Sequence, residues 1–567
     1  MPSVSTIGWD VVSVTDINTL SKVVSENHPY PDKFAEAYKI IGQQLKIAGQ
    51  WGEWRIANEA NGKNVYMQCL IQNGSATIFD QNYSLNANEE LSSITIQILL
   101  AGLEALPEKW LSPDDDTSSV TEETQCFELV INNQEAIVII ESNFTNPELY
   151  SEEVGLASPI EMTLKRWFNN NIDQFKQIFS VLLLGLRANK GDFQWLKPSA
   201  YSYSANNTID KKTAAFGALT LIDGKTEKSH LTQSVDVTAL HLVKPFGANA
   251  ALIVSKTMFV KHILLQAAMA LVKNSRAADF DISETGFSLT NNKEMVWQDF
   301  DGPDNEKISP MLPKESFILT LQADYIHISI VGAHYRPQAG TTVLMGLEQN
   351  FKYKVGKNDQ GEPVFVPDEQ GLGDATVSCS VVFDEWIDVV NIVLSIVTSI
   401  ASLLALGSSI VSSVAKAAIA STTISRAAQT VSFVYRLGRF KITLAELTQI
   451  GLSVARGVVS NPSIFNVIKI SSTVVAAITG LAWGALMLTE AIYKLKYNNV
   501  PAFHAFADNF TAAVKWPEID NIELKSASLA DSFIIGLNLI KNIRIDLWIC
   551  IIGIWFVRLL VHQLITN

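Results

Sequence analysis

Histidine and cysteine supply most protein metal ligands, and the 567-residue sequence spreads both along the chain. None of the eight histidines stands four residues from another, the helical spacing that would direct two imidazoles at one metal ion. The four cysteines, Cys69, Cys126, Cys379 and Cys550, form no C-x-x-C pair and no finger-like Cys/His spacing. The sequence therefore predicts no metal site and no disulfide framework.

Two loops resemble ligand-binding motifs only superficially. Residues 299–306 (DFDGPDNE) are acidic but lack the twelve-residue register of a calcium loop, which favours a surface turn. Residues 371–374 (GLGD) precede a predicted strand rather than a helix, so they do not fit a dinucleotide-binding loop. There is also no G-x-S-x-G, Walker A or H-E-x-x-H motif. We expect no catalytic residue, no cofactor and no enzymatic activity.

Charge is distributed unevenly along the chain. The net charge is −14, yet residues 389–497 contain nine basic side chains and only two acidic ones. An acidic body argues against nucleic-acid binding, because phosphate neutralisation needs a basic face. A basic, apolar segment on an acidic protein instead indicates a membrane surface or an internal partner.

The pattern up to residue 388 is β-rich with a few helices. A strand is predicted at 7–14, followed by a helix capped at Thr15 or Asp16. A second helix is predicted from a capping box at Ser158 to about residue 180, and a third from Ser255 to about 272. Alternating runs predict strands, listed here: 65–71, 74–79, 92–100, 126–131, 135–141, 200–204, 215–221, 234–243, 317–321, 326–330, 351–355, 364–366 and 376–382.

Residues 389–497 are predicted to form an apolar helical segment. The uncharged runs 389–415 and 470–489 carry stripes of small residues that would let helices approach closely. Three interpretations remain open: a packed soluble bundle, stable residence in a membrane, and conditional insertion. The predicted membrane or lipid contacts are Ile396, Leu403, Arg436, Arg439, Lys441, Gly480, Trp483 and Gly484.

The chain returns to strand-like composition at 521–527 and 532–539, and residues 541–567 then form a hydrophobic tail. Arg558 and His562 interrupt the apolar stretch 547–565, so a short membrane anchor and a packed terminal helix both fit. Residues 1–10 lack the basic and apolar regions of a secretory signal peptide. We expect a protein that is cytoplasmic as made.

An ordered set of short segments carries a resemblance to a known family. The segments are 8–12 (GWDVV), 166–173 (RWFNNNID), 195–199 (WLKPS), 201–203 (YSY), 216–219 (FGAL), 258–262 (MFVKH) and 514–517 (VKWP). In order and character they resemble the clostridial forty-seven-kilodalton toxin-cluster protein and its OrfX relatives, a bacterial branch of the tubular lipid-binding (TULIP) superfamily.

The resemblance implies an α+β fold of two TULIP-like domains, each a highly curved antiparallel sheet around a long helix. The corresponding prediction places one half at 1–185 and the other at 186–388 plus 498–540. It implies a non-enzymatic lipid-binding accessory of a bacterial toxin gene cluster, with anionic or phosphoinositide lipids and other cluster proteins as partners. Such a protein would be released, if at all, with a toxin complex. The alternatives are a scaffold that shields or docks a toxin, and a pore-forming toxin that inserts its helical segment.

Overall fold

The fold was analysed in a computed structural model of the chain. It describes residues 2–40, 42–105, 126–176, 181–183, 195, 198–208, 212–297, 299–301, 307–338, 341–357, 363–367, 375–383, 418–425, 430–437, 514–515 and 519–541.

The described residues of the first half of the chain form thirteen strands and five short α-helices. The strands are β1 (Val11–Asp16), β2 (Lys33–Ile40), β3 (Gln43–Gly62), β4 (Asn64–Ile78), β5 (Gln81–Ser84), β6 (Ser92–Ile98), β7 (Leu100–Ala105), β8 (Cys126–Ile131), β9 (Val138–Asn143), β10 (Val181–Leu183), β11 (Ala200–Asn207), β12 (Ala214–Leu221) and β13 (Ala250–Val254). The helices are α1 (Ile17–Asn27), α2 (Ala157–Asn170), α3 (Thr238–Val243), α4 (Lys256–Phe259) and α5 (Leu265–Leu271), with a π-helical turn at Val260–Leu264 between the last two.

The second half, as far as it is described, is almost entirely strand. Its strands are β14 (Phe280–Ile282), β15 (Ser288–Asn291), β16 (Met295–Val296), β17 (Phe300–Asp301), β18 (Lys307–Ile308), β19 (Met311–Leu312), β20 (Phe317–Leu321), β21 (Ile326–Gln338), β22 (Thr341–Phe351), β23 (Tyr353–Lys357), β24 (Pro363–Pro367), β25 (Ala375–Phe383), β26 (Ala418–Ser425), β27 (Thr430–Leu437), β28 (Val514–Lys515), β29 (Ile519–Leu529) and β30 (Phe533–Lys541). The β-rich prediction is therefore confirmed.

One large antiparallel sheet joins strands from distant parts of the sequence. Its order is β29-β30-β13-β1-β12-β11-β3-β4-β6-β9, with β2 beside β3 and β5 beside β4. The first strand is central, since Val14 pairs with Gly217 on one side and Ala251 on the other. A second sheet runs β14-β15-β20-β21-β22-β25-β27-β26. The predicted domain boundaries at 185, 388 and 540 and the TULIP-type arrangement stay predictions.

Two helix starts agree with the sequence analysis. The backbone N–H of Asn18 donates to Asp16 Oδ1 at 2.7 Å, so Asp16 caps α1 and its apolar positions Ile17, Leu20 and Val24 are buried. Ser255 caps α4 in the same way through the N–H of Met258. In both places a side-chain oxygen satisfies a donor that the first helical turn leaves free.

The prediction for α2 is wrong at both ends. The helix begins at Ala157, and its N-cap, Leu156, makes no side-chain cap; Glu161 instead accepts a 2.7 Å hydrogen bond from Ser142 on β9. It ends at Asn170 rather than near residue 180. The Asn171 amide donates to the Trp167 carbonyl at 2.8 Å, a local bond that competes with continued helix.

The strand predicted at 234–243 is also wrong, because α3 occupies its second half. Asp236 accepts hydrogen bonds from the N–H of Thr238 and of Ser5, both at 3.0 Å, and so starts a helix where the sequence pattern indicated alternation. An aspartate two residues before an apolar run was the available signal.

The helical prediction for 389–497 is wrong at 418–425 and 430–437. These residues form β26 and β27, and β27 pairs along its length with β25. Their sequences, AIASTTIS and TVSFVYRL, are rich in β-branched and aromatic residues, which favour strands; the absence of charge obscured that signal. The rest of 389–497 and the tail after 541 lie outside the described residues. Removing 389–497 would therefore also remove two strands from the second sheet.

Candidate functional site

Seven aromatic side chains meet between the large sheet and α2. We call this cluster the aromatic interior; it contains Tyr30, Phe34, Trp51, Trp54, Trp167, Phe168 and Phe175. All seven are buried, and adjacent ring centroids lie 4.5–6.4 Å apart. Aromatic rings at these separations pack favourably beyond the area they bury.

A β-bulge places two tryptophans of β3 on the same face. Trp51 pairs with Ile71 and Trp54 with Cys69, so three steps along β3 oppose two along β4. In a regular strand, residues three apart point to opposite faces. The extra residue turns both indoles inward, and bulges are common beside functional sites. The sequence analysis missed this, because a bulge leaves no periodic signal.

The other side of the aromatic interior comes from α2. Trp167 and Phe168 follow Leu164 at helical spacing and face the sheet. The asparagines that follow fasten this helix end: Asn169 exchanges hydrogen bonds with the Ile137 backbone, and Asn170 donates to Glu36 at 2.9 Å. The segment 166–173, used above for the family resemblance, thus holds the helix end against two strands.

Two polar atoms in this interior have no acceptor among the described residues. They are the indole N–H groups of Trp51 and Trp54, which are 5% and 0% exposed. The two indole rings lie edge-to-face, with centroids 5.4 Å apart and planes at 88°. In that arrangement only one of the two N–H groups can point at the face of the other ring in an N–H···π contact. A buried donor without an acceptor costs free energy, and a second molecule with an oxygen acceptor would relieve that cost.

A second cluster, the His262 cluster, brings together residues of three of the segments that carried the resemblance and two residues that follow β12. It consists of Asp10, Trp195, Asp223, Lys225, Lys261 and His262. The imidazole of His262 stacks on the Trp195 indole, with centroids 4.6 Å apart and planes 4° apart. Asp223 Oδ2 accepts from Lys261 Nζ at 2.6 Å and lies 3.0 Å from His262 Nε2.

The backbone explains how neighbouring side chains reach the same carboxylate. Consecutive residues of an α-helix diverge by about 100°. Lys261 and His262 lie in the π-helical turn Val260–Leu264, a wider turn that often marks functional sites. Asp223 sits after β12 at φ +58°, a left-handed turn position that aspartate tolerates. The Asp10 carboxylate binds the residues on either side of this turn. Its Oδ1 accepts from Lys225 Nζ at 2.6 Å, and its Oδ2 accepts from the N–H of Ile222 at 3.0 Å.

The environment of the His262 cluster favours the neutral imidazole of His262 and the ionised carboxylate of Asp223. Burial lowers the pKa of His262, and the hydrogen bond to Asp223 only partly offsets this. Partial burial acts to raise the pKa of Asp223, but hydrogen bonds from Lys261 and His262 outweigh it and the pKa is lowered. Among the described residues, the side-chain hydrogen-bond partner of His262 is Asp223.

We predict that the stability of the fold decreases below pH 6.5 and that His262 carries part of the decrease. In the unfolded chain the imidazole takes up a proton near its ordinary pKa of 6.5. In the folded protein its pKa is lower, so it takes up the proton only at lower pH. The stabilisation that His262 contributes is therefore complete above pH 6.5 and is lost as the pH falls below that value. The stabilisation that Asp223 contributes is lost only as the pH falls below 3.8, the ordinary pKa of aspartate. Urea unfolding of the protein and of His262→Gln at pH 7.5 and 5.5 measures this.

The exposed His241 of α3 supplies the control. We expect His262→Gln to lose less stability between the two pH values than the parent, and His241→Gln to lose as much. An unchanged pH dependence in His262→Gln would contradict the assignment.

Of the eight predicted membrane contacts, the structure describes one. Arg436 lies in β27, paired with Thr376 of β25 and Ala418 of β26, and not in the predicted helical segment. The other seven predicted contacts lie outside the described residues: Ile396, Leu403, Arg439, Lys441, Gly480, Trp483 and Gly484. Within the described part of the chain, no helix is long and apolar enough to span a bilayer. In that part there is also no cluster of three potential metal-ligating side chains.

Comparison with known families matches residues 6–443 to a family model described as "OrfX-like: Protein OrfX2/OrfX3/P47". The chain belongs to the OrfX-like family. Among relatives, this OrfX-like chain is 22% identical over 392 residues to Protein OrfX3 of Clostridium botulinum (strain Kyoto / Type A2), covering 65% of the chain and 76% of the relative. It is 25% identical over 301 residues to Protein OrfX3 of Paraclostridium bifermentans, covering 49% of the chain and 57% of the relative.

Two solved structures share the fold of this OrfX-like chain. P47 from Clostridium botulinum A2 aligns with a TM-score of 0.54 and 15% identity, covering 94% of the chain and 98% of P47. P47 of Clostridium botulinum E1 gives a TM-score of 0.54 and 14% identity, covering 94% and 100%. At these identities the likeness supports the β-rich fold of curved antiparallel sheets.

Proposed function

We propose that this OrfX-like protein is a non-enzymatic lipid-binding accessory of a toxin gene cluster. The family is associated with clostridial toxin gene clusters. The lipid-binding part of the proposal comes from the sequence resemblance and from the chemistry of the aromatic interior.

The observation that carries the proposal is the pair of buried indole N–H groups in the aromatic interior. Apart from the Tyr30 hydroxyl, which accepts from the Trp54 backbone N–H at 3.2 Å, the side chains that pack with Trp51 and Trp54 are largely apolar. A lipid is the class of ligand that matches this combination, because its acyl chains suit the rings and its ester or phosphate oxygens accept from N–H. Each methylene removed from water contributes about 0.8 kcal/mol, so an acyl chain needs no catalytic or charged residue to be held.

We predict that removing the indole N–H weakens lipid uptake without unfolding the protein. Trp51→Phe and Trp54→Phe keep an aromatic ring and delete the donor. A hydrogen bond contributes about 1 kcal/mol net, so each variant should take up roughly threefold to tenfold less phospholipid from vesicles, as measured by native mass spectrometry.

The matched control is Trp9, a buried tryptophan outside the aromatic interior whose Nε1 donates to the Thr232 carbonyl at 2.9 Å. Trp9→Phe should lose stability, because it leaves a carbonyl unpaired, and should keep its lipid uptake. Equal uptake by all three variants and the parent would remove the support that the indoles give to the proposal.

The second candidate function is a protein scaffold with a solidly packed interior. One continuous cluster of buried side chains runs from α1 through the aromatic interior to the second sheet, which is what a packed interior requires. Val138 and Ile140 of the strand β9, at the end of the large sheet, are 39% and 42% exposed and would suit a docked partner. Pull-down with the products of neighbouring genes separates the candidates: a stable complex together with no lipid uptake favours the scaffold.

A further inference from the structure

Exposed apolar side chains gather around β9, the strand at one end of the large sheet. Among the described residues, ten large apolar side chains are more than a third exposed. Five of the ten lie on β9 or beside it and are 38% to 53% exposed: Leu91, Val138, Ile140, Tyr150 and Met162. Single exposed apolar residues are ordinary on a protein surface, whereas such a concentration indicates an interaction site.

Hydrogen bonds place two of these side chains at the end of β9. The Tyr150 hydroxyl accepts from the backbone N–H of Phe144, the residue that follows the strand, at 3.0 Å. On α2, Glu161 accepts from the Ser142 hydroxyl of β9 at 2.7 Å, and Met162 is the next residue. The exposed side chains of a 3-10 turn and of a helix therefore lie beside the same strand.

The other three come from β9 itself and from the start of β6. Leu91 precedes Ser92, whose hydroxyl accepts from the N–H of Thr145 at 3.0 Å. A register shift between β6 and β9 leaves Ile140 without an opposite residue, and such a bulge re-aims a side chain. Val138 lies two positions before it. The six residues of β9 extend about 20 Å, a length that one protein partner can cover.

Negative charge surrounds this apolar surface. Between residues 132 and 164 the chain has six acidic side chains and no lysine, arginine or histidine: Glu135, Glu141, Glu148, Glu152, Glu153 and Glu161. Within the described part of the chain, none of these six carboxylates forms an ion pair. The next basic residues along α2 are Lys165 and Arg166, and Arg166 pairs with Glu36 instead. The charge of this surface is therefore not neutralised from within the described fold.

We propose that these five apolar side chains and six glutamates, together called the β9 surface, bind a partner protein with lysines and arginines around an apolar centre. The apolar side chains would leave water on docking, and the unpaired carboxylates attract the opposite charge. A second copy of this chain would bring like charges together, and an anionic bilayer would be repelled, so charge favours a basic partner. Docking of this kind rests on the second candidate function, the scaffold, and is independent of lipid in the aromatic interior.

Binding of two synthetic peptides to the full-length chain tests the proposal. One is an amphipathic peptide with lysines on both sides of a leucine face, and the other has glutamate in place of each lysine. In fluorescence anisotropy, the lysine peptide should bind and the glutamate peptide should not. Ile140→Ser and Met162→Ser should each weaken binding of the lysine peptide about fivefold, because less apolar area is buried. Glu141→Gln should weaken it about twofold at low salt and leave it unchanged at high salt, where charge is screened.

Val331 and Glu284 provide the matched controls, since both are exposed and lie outside the β9 surface. Val331→Ser and Glu284→Gln should bind the lysine peptide as the parent does. Equal binding by Ile140→Ser and Val331→Ser would overturn the proposal, as would a parent that binds both peptides alike or neither. In sedimentation velocity, a parent dimer that Ile140→Ser dissociates would assign the surface to a second copy and also overturn it. Native mass spectrometry of Ile140→Ser should show unchanged lipid uptake, which separates this proposal from the one for the interior.

Discussion

Gly49→Ala should strongly destabilise the large sheet. Gly49 of β3 lies directly opposite Gly74 of β4, and the two backbones approach more closely there than a side chain allows. A methyl group at Gly49 would meet the Asn73 carbonyl oxygen, the Gly74 Cα at 2.8 Å and the Phe34 ring. Backbone atoms cannot move aside as a flexible side chain can. Overpacking in well-packed cores costs about 1–3 kcal/mol, occasionally more, and we expect a value at or above the upper end.

Urea unfolding followed by far-UV circular dichroism measures this loss, and Gly52→Ala on the same strand is the control. A methyl group at Gly52 would meet the Leu70 Cβ at 3.2 Å, so a small shift accommodates it. We expect Gly52→Ala to change the free energy of unfolding by less than about 1 kcal/mol. Similar losses in the two variants would show that the strands β3 and β4 are not paired in the register described.

Trp54→Ala should cost about 3–5 kcal/mol of the free energy of unfolding, the range for large aromatic truncations in cores. The Trp54 indole is fully buried and stacks on Tyr30 at 4.9 Å with planes 2° apart. It also contacts Trp51, Phe168 and Phe175. Truncation would leave a cavity at the centre of the aromatic interior, because rings held on two strands and a helix cannot all close inward.

Trp54→Phe tests whether volume or the indole nitrogen governs stability. The smaller ring keeps most of the stacking and removes a donor that has no acceptor among the described residues, so we expect a loss well below that of Trp54→Ala. Chemical denaturation of both variants at one pH provides the comparison. A loss in Trp54→Phe as large as in Trp54→Ala would mean that the indole N–H has an essential partner.

Local signals in the sequence were sufficient for much of the fold. The cap of α1, expected at Thr15 or Asp16, the cap at Ser255 and the alternation of 326–330 were predicted because neighbouring residues determine them. Features set by distant residues were missed. The bulge at Trp51 depends on pairing with β4, and Glu161 of the predicted capping box instead accepts a hydrogen bond from Ser142 of β9.

The candidate site was less predictable than the fold, since both clusters form only when distant segments meet. Asp10, Asp223 and His262 are separated by hundreds of residues or by whole strands, and no spacing rule connects them. The membrane contacts were predicted in 389–497 because that segment contains long uncharged runs and few acidic residues. Residues 430–437 of that segment, which include Arg436, form a strand that is paired on both sides, and strands inside a sheet are also low in charge.

Native mass spectrometry of the full chain, purified without detergent or organic solvent, tests the central claim most directly. The account predicts a lipid adduct that survives gentle ionisation, disappears under denaturing conditions and is regained after incubation with phospholipid vesicles. A bare chain mass in the native spectrum, unchanged after incubation with vesicles, would contradict it and favour the packed scaffold.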